Sequence, residues 1–294
     1  MNVTLEIDKM NKLIITVATT GGIHDKSVNP NLPEQPDEIA QDVYDCYNAG
    51  ATVHHIHVRD KLGQTTGDLD IYCDVIGKVK AKCPIITQVG NGIGAVFNPD
   101  GTTRVATQEE RMELTNLDPK PDMLTINAGT FQFGYIPDII FDNPIQWNAE
   151  FIKRCYERDI AIECECYDIS HIENVKELVL MGVLKEPVHY SLVLGIKGGI
   201  PASPQMISAM VDVIPEGSSW QVITISKQQL PSTVMAMCQG ANIRTGMEDN
   251  IYYSRGELVK SNAQLVERMV KIARELGREI ATVDEAKEKL GIKS

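Results

Sequence analysis

The sequence has little of what marks a nucleic-acid-binding or a membrane-spanning protein. Acidic residues outnumber basic ones, which gives a formal net charge of −12, whereas general binding to nucleic acid needs a basic face. No apolar stretch approaches the roughly 20 residues that cross a bilayer. We therefore expect neither a nucleic-acid partner nor a membrane, although an anionic small molecule can still bind at a locally positive site.

Patterns of disulfide bonding and secretion are missing as well. The seven cysteines are odd in number and no two have CxxC spacing. The N-terminal residues MNVTLEIDKMNK include acidic side chains and lack the apolar centre of a signal peptide. We expect reduced cysteines and a cytoplasmic location.

The sequence does contain a regular alternation of short β-branched apolar runs with longer amphipathic stretches. The runs predict eight strands, at Leu13–Ala18, Ala51–His57, Pro84–Val89, Met123–Ile126, Ile160–Glu165, Val188–Leu194, Trp220–Ile225 and Ala241–Arg244. The stretches between them predict helices at Asp37–Asn48, Leu69–Lys82, Pro144–Arg158, Ile169–Met181, Pro204–Val213, Leu230–Gln239 and Asn262–Leu276. The third connection, Gln108–Leu117, has the least regular pattern.

Eight strand–helix units fit a closed parallel (β/α)8 barrel, the TIM barrel. The 294 residues show no repeat or linker, so we expect one barrel domain over residues 1–294, since barrels of about 250 residues commonly form one domain. An open doubly wound sheet is the alternative. It normally carries a GxGxxG fingerprint after its first strand, where this sequence reads ATTGG over Ala18–Gly22.

Chemistry in a barrel takes place at the carboxyl ends of the strands, and the second predicted strand ends with two histidines. His55 and His57 are two positions apart, so their side chains point to the same face. Two imidazoles supply nitrogen donors that suit zinc and similar metals. Two hydrogen-bonded barrel residues are an equally good interpretation of this pair alone.

The loop after the eighth predicted strand offers a third ligand. Catalytic zinc takes about three protein ligands and keeps one open position. Arg244 is followed by Glu248 and Asp249, and Gly246 between them lets the backbone turn. Taken alone, this segment also fits a surface loop with an ion pair, but the two motifs together favour a metal site.

These motifs resemble the β-keto acid cleavage enzymes, a family typified by 3-keto-5-aminohexanoate cleavage enzyme. The resemblance extends over nearly the whole chain. Its segments are His55–Asp60, Asn127–Thr130, Phe133-Gly134, Val193–Gly195, Pro215–Trp220, Arg244–Asn250, Lys260–Asn262, Leu265-Val266 and Leu276–Thr282.

The resemblance implies a (β/α)8 barrel, usually a homotetramer, that binds zinc or another divalent transition metal and uses acetyl-CoA as a co-substrate. A β-keto acid condenses with acetyl-CoA, and cleavage of the adduct gives acetoacetate and a new CoA thioester. The implied residues are the metal ligands His55, His57 and Glu248, the enolate-forming pair Arg244 and Asp249, and the substrate contact Thr130. General chemistry agrees, because a metal can stabilise an enolate and a nearby carboxylate can accept the proton.

The sequence departs from the family pattern at two positions. Ile23 stands where the typical member has a glutamate that holds the substrate's amino group, and Gly90 replaces a serine after the third strand. Burying an ammonium group without a partner is costly, so we expect a β-keto acid that lacks this group and is apolar or differently polar. Asn91 and the N–H groups of nearby glycines are candidate replacements for the serine hydroxyl.

Glu163 and Glu165 share one face of the fifth predicted strand. They are candidate substrate-binding residues that recognise a cation or a hydroxyl, or else they pair with neighbours such as Arg59 or Lys197. Two other functions stay open: a different metal-assisted lyase, aldolase or hydrolase on the same barrel, and a barrel that binds without catalysis. A requirement for acetyl-CoA distinguishes the family reaction from both.

Overall fold

The computed structural model describes residues 11–97, 102–134 and 139–293. Within these ranges eight parallel strands form a closed circle in which each strand pairs with its sequence neighbours and the last pairs with the first. The strands are β1 (Ile15–Ala18), β2 (Val53–Ile56), β3 (Ile86–Val89), β4 (Met123–Asn127), β5 (Ala161–Cys166), β6 (His189–Leu194), β7 (Ser219–Thr224) and β8 (Asn242–Thr245). The predicted (β/α)8 barrel is confirmed, and the open sheet is wrong.

Helices occupy the connections between the strands. They are α1 (Pro36–Ala49), α2 (Leu69–Lys82), α3 (Gln108–Met112), α4 (Ile145–Glu157), α5 (Ile169–Leu180), α6 (Pro204–Val211), α7 (Gln229–Cys238), α8 (Asn262–Glu275) and α9 (Val283–Lys289). Polar caps fix several starts: the carboxylate of Asp68 accepts hydrogen bonds from the first turn of α2, and the hydroxyl of Ser203 does so at α6. The irregular third connection forms the short α3 and a 3-10 turn, Glu113–Asn116.

The largest apolar core lies between the barrel and the ring of helices. Val17 and Ile56 from the strands pack in one cluster with Val43 of α1 and Val75 of α2, and all four side chains are fully buried. Burying a valine or isoleucine side chain contributes about 1.5–3 kcal/mol. This layer therefore supplies most of the apolar stabilisation and fixes the directions in which the strand ends point.

The amino ends of the strands are closed by a second apolar cluster. Ile14, Val53 and Met123 lie inside that end of the barrel and pack with Ala286 and Leu290 of the C-terminal segment. The sequence pattern did not predict α9, which supplies this cover. Because this end is closed, an opening into the barrel interior lies at the carboxyl ends of the strands.

Short antiparallel hairpins lie in the loops, and the apolar periodicity of the sequence did not predict them. They pair Ala95–Phe97 with Thr103–Val105, Phe131–Gln132 with Ile140–Phe141, and Tyr252–Ser254 with Glu257–Leu258. Among the described helices, none combines the length and the apolar character needed to cross a membrane.

Candidate metal and catalytic site

A cavity of about 140 Å³ opens at the carboxyl ends of the barrel strands. Its titratable lining comes from β2, β5 and β8 and the residues that follow them. These residues are His55, His57, Glu165, Tyr167, Arg244, Glu248 and Asp249. The structure thus brings together the histidine motif and the Arg244 segment, which are almost two hundred residues apart in the sequence.

The two histidines point into the cavity with their Nε2 atoms 3.2 Å apart. Nε2 of His55 lies 3.8 Å from Oε1 of Glu248, and Nε2 of His57 lies 3.7 Å from the same oxygen. Burial lowers the pKa of His57, and it lowers that of His55 well below its usual value. Both rings are therefore neutral near pH 7, which is the form that binds metals.

Two glycines let Glu248 reach this position. Gly246 has φ 145°, and a Cβ there would lie 1.9 Å from the carbonyl oxygen of Ala18, so β8 continues past β1 only with glycine. Gly21 has φ 62°, and a Cβ there would lie 2.2 Å from Cγ of Glu248. The loop after β1 can therefore lie directly against the glutamate.

The donor set fits a divalent metal. One ligand atom from each of His55, His57 and Glu248 lies within 4.8 Å of the other two. Oε2 of Glu248 is buried and has no hydrogen-bond partner, which is uncommon for a buried carboxylate oxygen. Two imidazoles and one carboxylate are a ligand set of catalytic zinc sites.

Arg244 and Asp249 form a buried ion pair beside this cluster. Nε and Nη2 of Arg244 donate to the two carboxylate oxygens of Asp249 at 2.8 and 2.9 Å. Nη2 also donates to Oε1 of Glu248 at 2.5 Å. Burial raises the pKa of Asp249, although Arg244 opposes this shift. One arginine thus orients two carboxylates, one towards the histidines and one into the cavity.

The two glutamates of β5 occupy different environments. Glu165 lines the cavity, accepts a hydrogen bond from the Tyr167 hydroxyl at 2.9 Å and lies 3.8 Å from Arg244. Burial raises its pKa to about 7. Glu163 lies beneath the cavity in the barrel interior and accepts hydrogen bonds from Gln88, Ser191 and Gln221. The partners of both glutamates differ from the Arg59 or Lys197 pairing considered from the sequence.

The remaining predicted substrate residues lie at varying distances from the cavity. Gly90 lines it, and a Cβ at this position would lie 2.8 Å from Nε2 of His57 and 2.9 Å from Nε2 of His55. Asn91 is fully buried, and neither polar atom of its side chain has a partner. Thr130 instead donates to Asp142 at 3.1 Å and accepts from the N–H of Asn143, and it is not part of the cavity lining.

Sequence reasoning missed three residues that shape the site. Gln88 accepts a hydrogen bond from Nδ1 of His55 at 2.7 Å. Tyr167 holds Glu165, and Phe131 stacks on Tyr167 with ring centroids 3.8 Å apart. Gln88 is the one that the sequence could have indicated, because this polar residue of β3 lies beside His55 of the adjacent strand β2.

Comparisons with known proteins agree with this arrangement. A 3-keto-5-aminohexanoate cleavage enzyme from Fusobacterium nucleatum is 39% identical over 97% of this chain and 99% of that protein. A 3-oxoadipate:acetyl-CoA acetyltransferase from Cupriavidus necator is 30% identical over 96% of this chain and 95% of that protein. The solved ternary complex of ObcA with a C4-CoA adduct and oxalate superposes with a TM-score of 0.73 at 16% identity, covering 90% of this chain and 68% of that one, and supports the fold.

The family model that matches describes the beta-keto acid cleavage enzyme and covers residues 12–292. The match includes every described strand of the barrel, both histidines and the whole Arg244 segment. The chain therefore belongs to the β-keto acid cleavage enzyme family.

Proposed function

We propose that this protein transfers an acyl group between a β-keto acid and acetyl-CoA, giving acetoacetate and a new acyl-CoA. The bond between C2 and C3 of the keto acid breaks, and its carboxymethyl fragment joins the acetyl group. The released acyl group joins the CoA sulfur, so no oxidant or reductant is needed. The observation that carries the proposal is the cluster of His55, His57 and Glu248 beside the Arg244–Asp249 pair in one cavity, in a chain of this family.

His55, His57 and Glu248 are the proposed ligands of a divalent metal. Zinc is the metal we favour, because neutral imidazoles and a carboxylate suit it. When bound there, the metal supplies a Lewis acid for a keto oxygen. The chain itself supplies the electrostatic frame, since the guanidinium of Arg244 holds Glu248 in place through a 2.5 Å hydrogen bond.

Asp249 is the proposed base that takes a proton from C2 of the keto acid. Its carboxylate lines the cavity and is buried, and the bidentate contact with Arg244 fixes its orientation. Proton transfer requires a base within hydrogen-bond reach and with a suitable pKa, and burial shifts the pKa of Asp249 upward towards neutrality. Arg244 is thus proposed to orient the base.

The carboxylate of the keto acid is proposed to bind beside Gly90 and Asn91. The unpartnered amide of Asn91 is a donor that a carboxylate can engage after a small side-chain adjustment. Glu165 is proposed to contact substrate through the cavity face. Thr130 contributes by holding Asn143, whose amide donates to Gly129 and Phe141.

The acyl tail of the substrate is proposed to be an uncharged hydrocarbon. In the closed strand order β6 lies diametrically across the barrel from β2. Val193 and Ile196 of this side cluster with Ile223, and Phe131 and Tyr167 pack against them. Burying a charged tail against such a wall costs several kcal/mol without a partner.

The charged groups of the cavity are already engaged. Arg244 pairs with Asp249 and Glu248, and Glu165 accepts from Tyr167 and lies near Arg244. The rings of Phe131 and Tyr167 stack with an interplanar angle of 12°, whereas an aromatic cage for a cation needs open ring faces around it. These contacts favour a neutral tail over an ammonium or a second carboxylate.

A matched set of β-keto acids tests both parts of the proposal. Zinc-loaded protein is assayed with 3-oxohexanoate, 3-keto-5-aminohexanoate and 3-oxoadipate, which share one carbon skeleton, with and without acetyl-CoA. We expect acetoacetate and butanoyl-CoA from 3-oxohexanoate only when acetyl-CoA is present. For the two charged acids we expect kcat/KM to be lower by about tenfold or more. Enzyme-free samples correct for spontaneous decarboxylation.

The outcomes separate the reaction from the tail. Equal turnover of a charged acid refutes the hydrocarbon tail but keeps the reaction. Absence of acetoacetate from all three acids, in protein shown to hold zinc, refutes the reaction and favours a different metal-assisted lyase, aldolase or hydrolase.

The family resemblance also motivates a homotetramer built from single-domain subunits. Analytical ultracentrifugation of the purified chain tests this assembly directly, since a monomer or dimer at assay concentration contradicts it.

A further inference from the structure

A line of buried hydrogen bonds runs from His55 down the barrel axis to Glu163. Nδ1 of His55 lies 2.7 Å from Oε1 of Gln88. Nε2 of Gln88 donates to Oε2 of Glu163 at 2.7 Å. His55, Gln88 and Glu163 are each at most 2% exposed, so water does not compete for these contacts.

The other contacts of Glu163 fix the direction of this line. Its Oε1 accepts from the Ser191 hydroxyl at 2.6 Å and from Nε2 of Gln221 at 3.2 Å. Gln88, Ser191 and Gln221 each present a donor, and Nε2 of His189 lies 3.5 Å from Oε2, so the carboxylate is the acceptor in all three of these hydrogen bonds. Gln88 must then turn its NH₂ group to Glu163 and its carbonyl oxygen to His55.

The amide orientation of Gln88 selects one tautomer of His55. A carbonyl oxygen accepts hydrogen bonds, so Nδ1 of His55 carries the proton and Nε2 keeps its lone pair. That nitrogen faces Nε2 of His57 at 3.2 Å and Oε1 of Glu248 at 3.8 Å. The hydrogen bond on one ring nitrogen generally decides whether the other can bind a metal.

We propose that Glu163 is a positioning residue that acts through Gln88 to hold His55 in the tautomer whose Nε2 can bind the metal. Glu163 lies beneath the cavity and touches neither the substrate space nor Glu248 and His57. The inference rests on the metal site proposed above. It assigns to Glu163 a role different from the substrate contact that the sequence pattern suggested.

Both carboxylate oxygens of Glu163 accept hydrogen bonds, one from Gln88 and the other from Ser191 and Gln221. Replacing Glu163 with glutamine turns one of these two acceptors into a donor. If the new NH₂ faces Gln88, two donors meet and Gln88 turns over. Its own NH₂ group then faces His55, which accepts at Nδ1 and carries its proton on Nε2. If the new NH₂ faces the other way, it meets the donors of Ser191 and Gln221 instead.

A swapped pair restores the original polarity. In the double variant Gln88→Glu/Glu163→Gln, the new glutamine donates its NH₂ group to the new glutamate. The second oxygen of that glutamate then accepts from Nδ1 of His55. The volume and the number of hydrogen bonds stay the same, so the double variant separates polarity from packing.

The test is the affinity of the purified, metal-free proteins for Zn²⁺, measured by competition with a chelator. For Glu163→Gln we expect binding weaker by about 10- to 100-fold, the usual effect of losing an outer-shell partner. The swapped pair is expected to restore affinity to within about threefold of the wild type. Ser191→Ala, which removes one contact of Glu163 without turning Gln88, is the control and keeps wild-type affinity.

Unchanged Zn²⁺ affinity in Glu163→Gln overturns the proposal. A loss that the swapped pair does not restore overturns it too, because Glu163 then acts through packing alone. If no variant folds, the ¹⁵N chemical shifts of His55 in metal-free wild-type protein decide, since they distinguish a protonated Nδ1 from a protonated Nε2. Because Zn²⁺ binding and these shifts are read without turnover, failure of the proposed reaction leaves this test intact.

Discussion

The two sides of the cavity differ in chemical character although one barrel builds both. The side formed by β8, β1 and β2 holds the buried ion pair of Arg244 and Asp249 beside His55 and His57. A second side, at β6 and β7, presents Val193 and other aliphatic side chains, and β6 lies across the barrel from β2. The first side carries the groups that can move a proton to or from a bound molecule. The second side can only select that molecule by its shape and polarity. We therefore expect that mutations can change catalysis and substrate selection independently of each other.

The largest expected effect lies on the polar side, at Glu248. Replacing Glu248 with glutamine removes the negative charge that faces both histidines and weakens the hydrogen bond to Arg244. Loss of a residue that only supports a metal ligand typically lowers affinity by up to about 100-fold. We expect Glu248→Gln to lower Zn²⁺ affinity by more than this, and turnover to fall with it. Equilibrium dialysis with Zn²⁺ and the acetoacetate assay measure the two effects.

Glu257→Gln is the matched control for this change. Its carboxylate accepts a hydrogen bond from Ser254 on an exposed hairpin, so both affinity and turnover are expected to match the wild type. Wild-type Zn²⁺ affinity in Glu248→Gln would remove Glu248 from the proposed ligand set.

Most of the barrel could be predicted from the sequence because its strands are buried on both faces. Such strands are continuous β-branched runs, and the eight runs found in the sequence correspond to β1–β8. The hairpins and α9 escaped because each is short and gains its stability from contacts with distant segments. Ala286 of α9, for example, is buried in one apolar cluster with Ile14, which no local pattern reveals.

The sequence predicts which face of a strand the site residues share, but it does not predict how far along the barrel axis each of them lies. Period-two alternation places Glu163 and Glu165 on the same inward face of β5. Two residues along a strand span about 6.6 Å, and this distance separates the cavity from the polar layer beneath it. The register of β5 with its neighbours β4 and β6 decides which glutamate reaches the cavity, and that register depends on the closure of the whole barrel.

Glu165 lies between the two sides of the cavity, and we expect it to make the stability of the metal-free protein depend on pH. Burial raises the pKa of this carboxyl from 4.5 to about 7, so between these values the folded state holds a proton that the unfolded state has released. Stability therefore falls as pH rises through this window, by about 3 kcal/mol at most. Below pH 4.5 the contribution is fully present.

Glu165→Gln removes this titration while keeping the side-chain shape. Urea unfolding of both metal-free proteins at several pH values gives the difference in their free energies of unfolding. The wild type is expected to lose stability relative to the variant from pH 4.5 to 7. A difference that stays constant, or that changes in the opposite direction, contradicts a raised pKa at Glu165.

The smallest expected effect lies on the apolar side, at Val193. Val193→Thr keeps the side-chain shape but adds a hydroxyl to the wall across from the histidines. Leaving that hydroxyl without a partner against a hydrocarbon tail costs about 1–3 kcal/mol, so kcat/KM for 3-oxohexanoate is expected to fall about tenfold with Zn²⁺ affinity unchanged. Val222→Thr makes the same change on β7 in the core cluster between barrel and helices, and it is expected to lower stability but not kcat/KM. An equal loss of kcat/KM in both variants would mean that Val193 acts through packing of the barrel, and the wall would then have no part in choosing the substrate.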